Sequence, residues 1–168
     1  MWRSIGIWAA LITMGFGTVA EATSLTQVVE GLEQCQDYAE TCLLIDVGDR
    51  NLSIFQNGSI IKTFKVAVGK PGWQTPIGNH YVFEMGRNVD WLNLYTGEPS
   101  SHNPMLGQWI GYARYDDDVR VGFHPTAQVN SVGEAASHGC NRMRPDEFNQ
   151  LYTFISKAKT LVPVLVRQ

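Results

Sequence analysis

Of the three cysteines in the chain, one sits among residues equipped to use it. Cys140 closes the run Ser137-His138-Gly139-Cys140, with Arg142 two positions beyond it and His124 upstream. A cysteine attacks as its thiolate, and forming the thiolate calls for a base or a positive charge close to the sulfur. His138 is adjacent in sequence, but neighbours in an extended segment project to opposite faces. His124 ends a strand-like run and is the better base, because the intervening loop can fold its imidazole back onto the sulfur. Gly139 removes a side chain where backbone must approach a substrate carbonyl. Consecutive N–H groups around Gly139 and Cys140 would then form an oxyanion hole. Arg142 would hold the thiolate, the loop or a substrate carboxylate. These residues together argue for acyl transfer through sulfur.

Other chemistries fit less well. An isolated cysteine is commonly an inert buried thiol, and a lone strand-end histidine is commonly satisfied by a backbone carbonyl. His102, His124, His138 and Cys140 are the side-chain types zinc accepts, but a His-x-Cys spacing matches no closed structural site. No metal and no cofactor is expected. Asp116-Asp117-Asp118 reads as a solvated turn with too few oxygen ligands at loop spacing for calcium. Trp73, Trp91 and Trp109 could stack on sugar rings, although aromatics in a β-rich domain more often belong to the core. His80 and His102 read as structural or surface residues.

The elements that must position these groups are mostly short strands. Cys42 to Val47, Asn51 to Gln56 and Ser59 to Val68 are rich in Val, Ile, Leu and Phe. Asn57-Gly58 between the last two marks a hairpin, since a type I′ turn needs φ > 0 at both positions. Phe64, Val66 and Val68 alternate with Lys65 and Ala67, which predicts one buried face and one more exposed. Further strands are expected at His80 to Met85, Gln108 to Ala113 and Val119 to Phe123. A helix opens at Pro145, where a missing N–H costs nothing and Asp146 and Glu147 complement the dipole. Its apolar face is Phe148, Leu151, Tyr152, Ile155 and Ala158. Thr160 to Val166 closes the chain as a strand, with Pro163 favouring an edge or a bulge. Ser24 to Gln27 has capping-box form and predicts a short helix from Leu25 to about Gln36. The fold class is therefore mainly β, a sandwich or barrel of short strands with one packed helix and one short N-terminal helix.

Charge and export bound the partners. The 168 residues carry 13 Lys+Arg against 16 Asp+Glu, a net charge of −3 with no polybasic footprint, so nucleic acid is a poor partner. At 44% hydrophobic and 17% charged, the composition suits one packed domain rather than disorder. Arg3, the uncharged run Ile5 to Val19 and Ala20-Glu21-Ala22 have the form of a cleaved signal peptide over residues 1–22. That run is short of the roughly 20 residues a membrane span needs, with an uncleaved anchor as the alternative. The expected organisation continues with a helical segment over 23–41 and a catalytic domain over 42–168. The mature protein would sit in the periplasm or cell envelope with no membrane span. There Cys35 and Cys42 can pair, or remain free buried thiols. Seven helical residues would hold their Cα atoms about 10 Å apart, beyond the roughly 7 Å limit, so a bridge requires the helix to end near Asp37.

The stretch from Ser137 to Met143, with Phe123-His124 upstream, resembles the active-site signature of the YkuD-type L,D-transpeptidases of bacterial cell walls. Leu43 to Val47, Leu52 to Gly58, Phe64 to Gly72 and Thr75-Pro76-Ile77-Gly78 resemble, in order, the opening strands of that family and its Thr-Pro-x-Gly turn. The resemblance covers Leu43 to Val166. It implies an L,D-transpeptidase-like β fold with Cys140 as nucleophile and His124 as general base and acid. Ser137, His138 and Gly139 would line the site and supply the oxyanion hole, and Arg142 matches the arginine that usually follows the nucleophile. A backbone carbonyl usually orients the histidine, and Pro125 would supply it. Two residues depart from the pattern: Asn141 stands where an aliphatic residue is usual, and Pro125 where glycine is common.

The implied substrates are peptidoglycan stem peptides. The bond between the diamino acid and D-alanine of a tetrapeptide stem would be cleaved through a Cys140 thioester. A neighbouring stem's amine, such as a meso-diaminopimelate side chain, would resolve it into a 3→3 crosslink. Water as acceptor would make the enzyme an L,D-carboxypeptidase instead. Carbapenem β-lactams would acylate the cysteine. From a different class, the chain would be a non-catalytic wall-binding module whose Trp-bearing loops hold glycan.

Overall fold

The computed structural model describes residues 30–37, 40–90, 103–115 and 119–168. Two open sheets face one another as a sandwich rather than a closed barrel. The first has strand order β3-β2-β1-β11-β5, with β1 Thr41–Asp46, β2 Asn51–Gln56, β3 Ser59–Lys65, β5 Gly78–Tyr81 and β11 Pro163–Arg167. The second has order β10-β8-β7-β6, with β6 Glu84–Arg87, β7 Gln108–Arg114, β8 Arg120–Pro125 and β10 Asn141–Met143. A two-stranded pair, β4 Val68–Gly69 with β9 Ala135–Ser137, stands apart from both.

Period-two alternation builds two cores on the first sheet. Leu43 and Ile45 of β1 and Leu52 and Ile54 of β2 face inward, against Ile110, Val121, Phe123 and Met143 of the second sheet. Their neighbours Cys42, Leu44, Phe55 and Leu165 face outward and pack with Cys35 and Leu32 of a helix, α1, described over 30–37. The second helix, α2 Pro145–Ile155, begins on its proline and buries Phe148, Leu151 and Ile155 in the main core. Lys157 and Lys159 lie just past its end. The part of the expected N-terminal helix before residue 30, and the expected signal peptide, lie outside the described residues. Among the described residues no helix is long and apolar enough to cross a membrane.

The Asn57-Gly58 turn forms as expected, with φ of 50° and 74° and Gln56 paired to Ser59. Three expectations need correction. The strand expected from His80 to Met85 is two strands in different sheets. β5 pairs β11 and β6 pairs β7, and between them the Val82 amide bonds Val162 O while the Phe83 amide bonds Gly111 O. The run Ser59 to Val68 likewise breaks after Lys65: the Val66, Ala67 and Val68 amides bond Arg50 O, Arg142 O and Glu134 O in turn. Ala67 is consequently buried, not exposed. Pro163 marks neither an edge nor a bulge. It opens β11, an inner strand between β1 and β5, where proline is tolerated because the first residue can lack a ladder donor.

Cys35 and Cys42 form a disulfide with Cα atoms 5.5 Å apart. It ties α1 to β1, and Arg167 adds a bond from Nη2 to Gln34 Oε1 at 2.6 Å. A short closed loop of this kind is worth about 2–3 kcal/mol. The double variant Cys35→Ser/Cys42→Ser should unfold earlier in urea by that amount, and reductant should then leave its midpoint unmoved.

Candidate active site

The site is assembled by one short parallel ladder. β10 pairs β8 with Asn141 opposite Phe123 and Arg142 opposite His124, so Cys140, one residue earlier, comes beside Gly122. Successive side chains alternate across a sheet. Phe123, Asn141 and Met143 point into the buried side. Gly122, His124, Cys140 and Arg142 share the opposite face, together with Trp109 and Glu84. Cys140 and His124 are thus diagonal neighbours on adjacent strands. Cys140 is the one free cysteine and is partly exposed, whereas His124 is 7% exposed.

The His124 ring is fixed at one nitrogen. Nδ1–H donates to the Pro125 carbonyl at 2.9 Å, which leaves Nε2 as the unprotonated nitrogen of the neutral ring. Burial lowers its pKa to about 4; the Pro125 hydrogen bond opposes this and the Arg142 charge adds to it. Burial also raises the Cys140 thiol above its ordinary value, while the Gly122 amide and Arg142 pull it back. At neutral pH the pair is therefore a thiol beside a neutral imidazole, and the resting sulfur is not a standing thiolate.

The loop before Cys140 is pinned from several sides. Thr75 Oγ1 donates to Gly139 O at 2.9 Å and accepts from the Gly69 amide at 3.0 Å, joining the β4–β5 segment to the 137–140 loop. Ser137 Oγ accepts the Gly139 amide at 3.1 Å, and Ser137 O accepts the Lys70 amide. Gly139 has φ of 107°, and a Cβ there would run into the Tyr115 hydroxyl, which itself donates to Gln74 O. Asn141, the departure after the cysteine, is fully buried. Its Oδ1 accepts from the Tyr112 hydroxyl at 2.6 Å and its Nδ2 donates to Ala67 O at 3.2 Å. An aliphatic residue could make neither bond.

The other singled-out residues are dispersed around this centre. His138 is exposed and sits edge-on to Trp73 at 4.9 Å. Its pKa is lowered by desolvation and by the charges of Lys70 and Arg142. Arg142 donates to Gln128 Oε1 at 3.3 Å. His80 bonds Pro76 O and tilts against the Tyr112 ring. Trp109 is buried over the site and Trp73 is 46% exposed, while Trp91, His102 and Asp116 to Asp118 lie outside the described residues. Among the described residues no three His, Cys, Asp or Glu side chains gather as a metal would require. Thr75 was visible in the sequence only as part of a turn motif. Tyr112 and Tyr115 carried no local signal, and Trp109 stood out only as a core or sugar-stacking aromatic, because their contacts depend on which strands become neighbours.

Comparison with known proteins places the chain in a family. The family model of the YkuD L,D-transpeptidase catalytic domain matches residues 40–166. The chain belongs to that family. Its members are acyltransferases with a cysteine nucleophile. The Bacillus subtilis (strain 168) protein YqjB is 30% identical over 116 residues, which cover 67% of this chain and 65% of YqjB. The catalytic domain of the Enterococcus faecium L,D-transpeptidase superposes with a TM-score of 0.55 at 23% identity, covering 77% of this chain and 98% of that domain. The L,D-transpeptidase LdtMt1, solved in complex with imipenem, gives 0.54 at 25% identity over 75% of this chain and 58% of its own. The chain thus spans just under two-thirds of YqjB.

Two stability measurements follow from the site's geometry. Thr75→Val keeps the shape but orphans the Gly139 carbonyl and the Gly69 amide, and should cost about 2–4 kcal/mol in urea unfolding. The second concerns His124, whose folded pKa lies below its unfolded one. Above pH 6.5 neither state binds the proton. Between 6.5 and 4 only the unfolded chain does, so stability falls as pH falls through that window, by on the order of 3 kcal/mol. His124→Gln should lack that component of the loss.

Proposed function

We propose that the chain is an exported cysteine L,D-transpeptidase acting on peptidoglycan tetrapeptide stems. The observation that carries this reading is the β8–β10 register, which sets His124 and Cys140 on one face of adjacent strands with Arg142 opposite the imidazole. Family membership and the likeness to a structure holding imipenem support it. Export rests on the signal-like residues 1–22, with the catalytic unit over 42–168.

The donor stem's carbonyl carbon, on the diamino acid, meets the Cys140 sulfur as Nε2 of His124 takes the thiol proton. Both groups start neutral, so charge appears only as the bond forms, and Arg142 and the Gly122 amide face the developing thiolate. The tetrahedral oxyanion needs N–H donors. The Gly139 amide is already bonded to Ser137 Oγ, so the Cys140 and His138 amides are the donors the mechanism requires, with Gly139 joining if the Ser137 hydroxyl turns away. Collapse breaks the C–N bond, and His124 returns its proton to the departing D-alanine amine, leaving a thioester on Cys140. An acceptor amine then attacks the thioester and gives its proton to His124. The C–S bond breaks, His124 passes that proton to the leaving sulfur to regenerate the thiol, and the new amide is a 3→3 crosslink.

Purified tetrapeptide muropeptides provide the direct test. Dimers linked 3→3 with released D-alanine are expected. Tripeptide with D-alanine and no dimer would instead establish the L,D-carboxypeptidase. Cys140→Ser should abolish turnover with the fold retained, because a hydroxyl is far harder to ionise than a thiol. Incubation with a carbapenem should add one acyl adduct at Cys140; unmodified protein that still binds sacculi would point to a wall-binding module. Because the base functions only when neutral, kcat/KM should hold down to about pH 5 and fall through the His124 pKa of about 4, not near 6.5.

A further inference from the structure

Trp109 lies on the reactive face, is 9% exposed, and takes no part in the acyl transfer derived above. Its ring runs nearly parallel to the His124 imidazole, with centroids 6.3 Å apart and planes at 26°. At its far end Nε1–H donates to Glu84 Oε1 at 2.6 Å, and the other carboxylate oxygen of Glu84 accepts from Arg120 Nη1 at 3.0 Å. The indole can lie flat across β7 and β8 because the positions around it are glycines. A Cβ at Gly111 would come 2.7 Å from Glu84 Oε1 and 3.0 Å from Trp109 Nε1, and one at Gly122 would come 2.9 Å from Trp109 Cη2. Gly111 and Gly122 are themselves paired across the ladder. At Gly111 a side chain would crowd the indole and its Glu84 anchor, whereas at Gly122 the nearest obstacle is the Ile110 carbonyl, with the indole edge next to it.

We infer that Trp109 is a positioning residue: anchored at its N–H by Glu84, the indole walls one side of the His124 imidazole, keeping water off the ring and holding its plane while Nδ1–H bonds Pro125. This deepens the transpeptidase reading and rests on it, since that reading makes His124 the base. The surroundings of the imidazole fit the role. From β10 it faces Cys140 and the cationic Arg142, and from β7 it faces Trp109. The carboxylate of Glu84 on β6 is occupied at both oxygens, by the indole and by Arg120 on β8, so it is held from stabilising an imidazolium. A ring with a single hydrogen bond can still swing about that bond. A flat apolar wall removes this freedom and maintains the desolvation that keeps the base neutral.

The test reads the imidazole directly, by NMR titration of His124 in the substrate-free protein, alongside the acid limb of kcat/KM. Trp109→Leu should move the His124 titration from about 4 toward 6.5 and lower kcat far more than it changes KM. Trp109→Phe, which keeps a ring over the imidazole, should hold the titration low and restore most of kcat. Should Trp109→Leu fail to fold, Glu84→Leu provides the same test by releasing the indole N–H, and should shift the titration in the same direction. A folded Trp109→Leu, or in its place a folded Glu84→Leu, whose His124 titrates unchanged would overturn the inference, as would a Phe variant shifted as far as the Leu variant. A shifted titration with an unmoved acid limb supports the role of Trp109 and overturns the assignment of His124 as base.

Discussion

The proposed chemistry depends on three residue pairs of parallel ladder between β8 and β10. Cys140 and His124 are sixteen positions apart and belong to no common turn or helix, so nothing local can bring them together. The ladder does so by register. With Arg142 opposite His124, the sulfur is placed one step back along the same face, beside the Gly122 amide. A slip of one residue would send Cys140 into the core and Asn141 onto the reactive face. Asn141 guards against that slip from the buried side. Its amide is fixed by the Tyr112 hydroxyl and the Ala67 carbonyl, partners that exist only in the observed register.

The loop that ends in Cys140 is held with similar care by a different part of the chain. Between β8 and β10 the backbone leaves the second sheet, pairs briefly through β9 with β4, and returns. Thr75 then clamps the Gly139 carbonyl, and the Tyr115 hydroxyl occupies the space a Gly139 side chain would need. The site is therefore a joint between segments that are distant in sequence, and its precision comes from buried hydrogen bonds on groups that would be costly to leave unpaired. The same logic accounts for the resting charge state. Burial favours the neutral form of both sulfur and imidazole, so in the proposed mechanism the proton would move when a carbonyl arrives rather than beforehand.

Much of this was legible in the sequence, for identifiable reasons. Asn57-Gly58 needs only its own two residues to specify a turn, and Pro145 with two acids specifies a helix start, so both formed as read. Residue chemistry alone pointed to Cys140 and His124, and the carbonyl of Pro125 accepts the imidazole N–H as the family resemblance implied. Strand boundaries were less accessible where extended chain changes partners without changing character. Val82 and Phe83 look like mid-strand residues, yet their amides bond different sheets. β9 and β10, three residues each, are too short to show a period. Trp109 reads only as a core or sugar-stacking aromatic and Tyr112 gives no reading, because their polar contacts arise only once Glu84 and Asn141 are brought beside them. Spacing alone left Cys35 and Cys42 between two readings, because whether seven residues bring two Cα atoms to 5.5 Å depends on the path of the backbone between them.

In the proposed mechanism one sulfur, deprotonated by one imidazole, carries the acyl group. Rapid-quench mass spectrometry on the protein mixed with a tetrapeptide stem and no acceptor amine measures this most directly. A transient adduct with the mass of the tripeptide acyl group is expected, localised to Cys140, sensitive to hydroxylamine, and formed orders of magnitude more slowly in His124→Ala. D-Alanine release at full rate with no acyl adduct on Cys140, or an adduct formed equally fast without His124, would contradict that mechanism.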